Sequence, residues 1–232
     1  MEPTVTCPDL AAAGVAAATP GLAAEAAVQA GSIGGRPVLV KWESPAAEAQ
    51  GIAAGAAVLL RAKLVAPRRL GFAVPNRTWA ASLARACEAM GVRTDIAEGT
   101  PAADRTRATI FDFRVGAAAN GFDWLFVVGC TEGLVPTAAA TGTDAASIAA
   151  LAEQQAAFDS LTAEARPHVV LSYFGEAEAA LADQIRLPYR RTVLRDGAAF
   201  ARLAPSPLIG AMGVRRPTTI GGQRFLRDAG LN

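Results

Sequence analysis

The run GFDWLFVVGCTEGLVP, residues 121–136, decides how the chain is read. Trp124 to Val128 are all large and apolar, so a strand built from them has no polar face and must be covered on both sides. Gly129 then opens a short polar corner, Cys130-Thr131-Glu132-Gly133, which Pro136 closes. In open parallel sheets, ligands gather at the carboxyl ends of the strands. Residues 129–136 are therefore expected on a functional rim, with a plain tight connection between elements as the alternative.

The surrounding sequence repeats the same grammar. RPVLVKW (36–42), RLGFAV (69–74), ATIFDF (108–113) and HVVLSY (168–173) read as further strands, and VRTDI (92–96) as a short extended piece. Between them lie helical patterns. Residues 45–64 carry Ile52, Ala56, Leu59 and Leu60 on one face. Asn76 is placed to cap a helix bearing Trp79, Leu83, Cys87 and Met90, which Gly91 stops. Asp144 is placed to cap residues 145–163, with Ile148, Leu151, Phe158 and Leu161 expected inward. Alternation of strand and helix predicts an α/β fold, a parallel sheet with helices on both faces. RRTVLRD and AAFARLA (190–204) predict a small hairpin about Asp196-Gly197. The division expected is a helical or flexible segment over 1–35, the sheet domain over 36–212, and a mobile tail over 213–232.

Composition narrows the function. The chain has 232 residues and a net charge of +1, so no global field draws it to nucleic acid or anionic lipid. Lys41 and Lys63 are its only lysines. Cys7, Cys87 and Cys130 are too few and too scattered for a disulfide framework or a zinc site, which points to a reducing, cytoplasmic setting. The alanine-rich start lacks a basic n-region and contains Pro20 and Glu25, unlike a signal peptide or membrane span. No G-x-x-x-x-G-K-[ST] loop and no G-x-G-x-x-G is present; GSIGGR (31–36) lacks the lysine and hydroxyl and precedes a strand. His168 is the sole histidine, expected to be packed and hydrogen-bonded rather than catalytic, and no metal site is expected. Asp112, Asp123 and Glu132 are acids that a sheet edge would bring near one another.

Three segments in order carry a resemblance: TIFDFRVGAAANGFDWLFVVGCTEGLVP (109–136), EQQAAFDSLTAEARPHVVLSY (153–173) and PSPLIG (205–210). Together they resemble the second, C-terminal RecA-like motor domain of UvrD/Rep-type superfamily 1 DNA helicases. Upstream, RPVLVKWESPAAEAQGIAAGAAVLL and RLGFAVPNRTWAASLARACEAMGVRTDI resemble that domain's preceding strand–helix pairs. The resemblance spans residues 36–210 and implies a three-layer, P-loop-NTPase-like sheet with roles in DNA repair or recombination. It places Thr131, Glu132 and Gly133 on a rim near the DNA path, with Arg77, Arg114 and Asn120 as further DNA-binding candidates.

The departures from the family pattern fall at charge-bearing positions. The family's H-S-A-K-G-L-E aligns with residues 115–121, so its lysine becomes Ala118 and its ribose-contacting glutamate becomes Gly121, just ahead of Asp123. Aligned on Thr162, the arginine that meets the γ-phosphate becomes Ala163, and residues 6–14 hold no basic group. Such an arginine stabilises charge developing on the phosphoryl group. Ala118, Gly121, Asp123, Thr162 and Ala163 are thus remnants of a nucleotide cleft. No catalytic residue and no cofactor are expected of the isolated chain, ATP and magnesium being implied by the resemblance alone. The implied partners are single-stranded DNA and a separate P-loop-bearing helicase domain or another protein, with no membrane. The alternative reading is a non-enzymatic protein-interaction module.

Overall fold

A computed structural model of the chain describes residues 37–99, 101, 106–119, 121–163 and 168–228. The expected parallel strands form: β1 (Val38–Trp42), β2 (Leu70–Val74), β3 (Thr94–Ile96), β4 (Ala108–Asp112), β5 (Trp124–Val127) and β6 (His168–Phe174). A strand not anticipated, β10 (Thr218–Gly221), joins them. The resulting seven-stranded sheet runs in the order β10-β1-β6-β5-β2-β4-β3 with every pairing parallel. This is a three-layer α/β architecture compatible with a RecA-like core. A second, antiparallel sheet of β7 (Glu176–Glu178), β9 (Ala198–Arg202) and β8 (Arg191–Arg195) stands beside it. Its β8–β9 hairpin turns at Asp196 and Gly197, with φ of 48° and 81°. Those paired positive values are what a two-residue turn of the right twist needs.

The continuous apolar runs explain the parallel sheet. All five residues of β2 and all four of β5 are buried, as a sheet covered on both faces requires. Phe72 and Phe126 stack across β2 and β5, with ring centres 5.5 Å apart. Helices α1 (Pro45–Arg61) and α2 (Arg77–Ala89) pack together, each fixed at its start by a side-chain cap. Ser44 Oγ accepts from Ala47 N at 3.1 Å, and Asn76 Oδ1 accepts from Thr78 N and Trp79 N at 3.0 and 3.1 Å. The steps β1→β2 and β2→β3 run one way across the sheet and β5→β6 runs the other. Right-handed crossovers then put α3 (Ala145–Leu161) on the face opposite α1 and α2.

Two expectations need correcting. The N-terminal half of α3 overhangs the core: Ile148 and Leu151 are 58% and 38% exposed, while Phe158 and Leu161 are buried. Residues 213–232 were expected as a mobile tail, yet β10 and α6 (Gly222–Asp228) lie within them and close the sheet next to β1. Trp42, at the end of β1, is slotted between α1 and α6. A Cβ at Gly51 would come 1.9 Å from its ring and one at Gly222 would come 2.2 Å from it. Phe225 meets the Trp42 ring edge-on at 6.0 Å. The remaining helices are short: α4 (Ala179–Gln184) and α5 (Pro207–Ala211), the latter capped by Ser206. The expected segment 1–35 lies outside the described residues.

Candidate functional site

The corner after β5 is stitched into the molecule from several directions. Gly129 has φ of 72°, and a Cβ there would lie 2.7 Å from Pro75 Cγ, so the position requires glycine. Cys130 N donates to Ser172 O at 2.8 Å, and Ser206 N donates to Cys130 O at 2.7 Å. Thr131 bridges to Pro205, and Glu132 N donates to Ala204 O at 3.0 Å. Gly133, with φ of 89°, closes against Pro188. The corner is thus the seam between the large sheet, the 204–206 segment and the small sheet.

That seam has a buried carboxyl behind it. Glu48, in the first turn of α1, is 1% exposed. Its Oε1 accepts from Gly129 N at 3.0 Å and from Ser172 Oγ at 2.6 Å, tying α1 to the ends of β5 and β6. Oε2 has no hydrogen-bond partner of normal geometry, although the Trp79 indole N–H approaches the carboxyl. Burial raises the Glu48 pKa to about 7, an effect its hydrogen bonds to Ser172, Gly129 and Trp79 only partly offset. A cavity of about 110 Å³ lies beside it, walled by Pro45, Thr78, Ser82 and Val128. In the sequence Glu48 is one acid in an alanine-rich helix, and only the meeting of α1, β5 and β6 gives it a role.

In front of the seam is a basic groove of about 510 Å³ between the Glu132 turn and the small sheet. Tyr189, Arg190, Arg191 and Arg202 line it. The Tyr189 hydroxyl donates to Asp183 Oδ1 at 3.0 Å, which fixes its half-buried ring. Arg190 and Arg191 are exposed and make no ion pair among the described residues. Arg202 is held by Glu176, which also binds Arg195 at 2.9 Å. None of these groove residues was singled out from the sequence. The signal available was Tyr-Arg-Arg at 189–191, which the hairpin reading absorbed.

The candidate residues named from sequence divide between the two edges of the large sheet. Arg77, Arg114, Thr131, Glu132 and Gly133 follow the carboxyl ends of β2, β4 and β5. Arg77 pairs loosely with Glu98 at 3.6 Å. Arg114 belongs to a 3-10 segment, Phe113–Ala119, rather than to a strand, and its Nε donates to Asp112 Oδ1 at 2.8 Å. Thr131 is fully buried with its hydroxyl unpartnered, so it props the turn from within and presents no side chain to the rim. Asn120 lies outside the described residues.

The residues that the resemblance aligns with a nucleotide cleft lie toward the opposite, amino edge. Gly116 packs on Ala157, where a Cβ would come 3.0 Å from Ala157 Cα. That contact sets the segment bearing Ala118 and Gly121 beside the helix end bearing Thr162 and Ala163. Asp123 lies here too, away from Asp112 and Glu132, so the three acids do not share an edge. Arg69 binds it bidentately, Nε donating to Oδ2 at 2.9 Å, and holds its pKa below the usual value. Thr162 is buried, its Oγ1 donating to Phe158 O at 2.9 Å, and its own carbonyl accepts from Arg215 at 3.1 Å. His168 stacks on Trp124 at 4.4 Å, but its Nδ1 is buried without a partner, unlike the hydrogen-bonded histidine expected. Burial lowers its pKa. Arg69 and Arg215 on this edge are thus already engaged, one with Asp123 and the other with the Thr162 carbonyl.

Among the described residues no cluster of His, Cys, Asp and Glu could hold a metal ion, and no helix is long and apolar enough to cross a membrane. No protein-family model matches the chain, and no curated protein matches it.

Proposed function

We propose that the chain is a helicase-type RecA-like module that grips single-stranded DNA along the Tyr189–Arg191 groove and does not turn over ATP by itself. One observation carries the reading. Two exposed, unpaired arginines and an anchored tyrosine line a groove against the Glu132 turn. Single-strand binders combine these same elements, cations that track the phosphates and an aromatic face on which bases stack. The resemblance over residues 36–210 supplies the class, and the neutral residues at 118, 121 and 163 supply the lack of turnover.

Fluorescence anisotropy with a labelled oligo-dT strand at stepped salt tests it. Affinity falls steeply with salt, and R190A/R191A reduces the slope by about 1.4, since each single-strand phosphate contact contributes about 0.7. ATP with magnesium gives no turnover. Salt-insensitive binding, or none, overturns the reading and favours a protein-interaction module. The apolar overhang at Ile148 and Leu151 is the feature that speaks for that second reading.

A further inference from the structure

We propose that a separate cleft, at the carboxyl ends of β1, β6 and β10, binds a small zwitterion with an apolar body, a ligand of the amino-acid class. The cleft lies past Trp42, Phe174 and Gly221, at the carboxyl edge of the sheet, the side of an open α/β sheet on which ligands gather. The crevice measures about 530 Å³, within the roughly 300–1,000 Å³ usual for small-molecule sites.

Its chemistry selects the ligand. Trp42, Met90 and Leu226 give apolar walls, and Met90 is 44% exposed with nothing over it. Lys41 and Glu43 flank Trp42, are both exposed, and make no ion pair among the described residues. Gly175 leaves room for the Lys41 stem, since a Cβ there would come 2.6 Å from Lys41 Cε. Glu176 also borders the cleft, but Arg195 and Arg202 already occupy its carboxylate. The uncommitted charges are therefore one cation and one anion. A simple anion at Lys41 would meet Glu43, and a simple cation at Glu43 would meet Lys41. A molecule bearing both charges answers both.

Calorimetric titration of the full chain with L-phenylalanine, phenylacetate and phenethylamine tests the assignment. L-phenylalanine binds saturably at millimolar concentrations, at least about tenfold tighter than either single-charge relative, as the loss of about 1.4 kcal/mol in one charged contact requires. K41Q and E43Q, both at exposed positions, each lower its affinity toward that of the single-charge relatives while leaving the unfolding midpoint unchanged. Phenylacetate or phenethylamine binding as tightly as L-phenylalanine overturns the proposal. So does an absence of saturable binding, or affinity that K41Q and E43Q leave untouched. DNA binding by the groove is independent of all these outcomes.

Discussion

Glu48 is where a single side chain does most to join the molecule. Its carboxyl reaches partners 81 and 124 residues away along the chain, so no local pattern announces it. Asn76, Asp144 and the Asp196-Gly197 turn are legible in the sequence because each acts on its immediate neighbours. Glu48 and Thr131 are not, because distant elements bury them. Glu48 keeps its proton up to about pH 7 when folded and releases it near 4.5 when unfolded. The stability it contributes is fully present below 4.5, declines as pH rises to 7 and stays lost above, a change on the order of 3 kcal/mol. E48Q, of equal shape and no charge, removes that decline. His168, with its pKa lowered by burial, gives an opposite slope below 6.5 in both proteins. Asp123 and Asp144 are held below 3.8 and exchange protons outside the window. The difference between wild-type and E48Q urea midpoints from pH 4.5 to 7.5 therefore isolates Glu48, and identical slopes would refute the assignment.

Among the elements, α1 shows how small residues place large ones. Gly51 and Gly55, one turn apart, receive Trp42 and Phe225 and so bind α1 to α6. Alanine at position 51 gains about 1 kcal/mol of helix propensity, but its Cβ overlaps a ring that Gly222 pins from the other side. Overpacking of that kind costs about 1–3 kcal/mol. G51A is expected to lower the denaturation midpoint and shift the tryptophan fluorescence. G55A, whose Cβ would lie 2.9 Å from Phe225, is expected to do so less. Equal stability of both variants with wild type would contradict this packing. The same scale explains the misreading of α3. Its alanines make every face weakly apolar, so periodicity does not tell which of Ile148, Leu151, Phe158 and Leu161 meets the core, and only the second pair does.

At the scale of the whole molecule, the parallel sheet was legible because strands buried on both faces are written as unbroken apolar runs. Strand order was not, because neighbours such as β1 and β10 are far apart in sequence and leave no local trace. β10 itself, Thr-Thr-Ile-Gly, is too short and too polar to stand out, and the basic groove arises only when the small sheet is set against the 129–133 corner. A chain ending at residue 212 loses β10 and α6, including the buried Ile220 and Phe225. Each such side chain is worth about 1.5–3 kcal/mol of burial, so this truncation is expected to lose at least about 3 kcal/mol and to expose Trp42. Urea denaturation followed by tryptophan emission checks it, and an unshifted midpoint would show that the last strand is dispensable.

Because β1 lies between β6 and β10, it has no strand partner during synthesis until residue 168 appears, and its second arrives with residue 218. At a translation speed of 5–20 residues per second, that interval is roughly ten seconds. Throughout it, Val38, Leu39 and Val40 lack the strands that flank them in the folded protein, and the nascent polypeptide carries an incompletely covered apolar segment longer than a locally wired fold of equal length would.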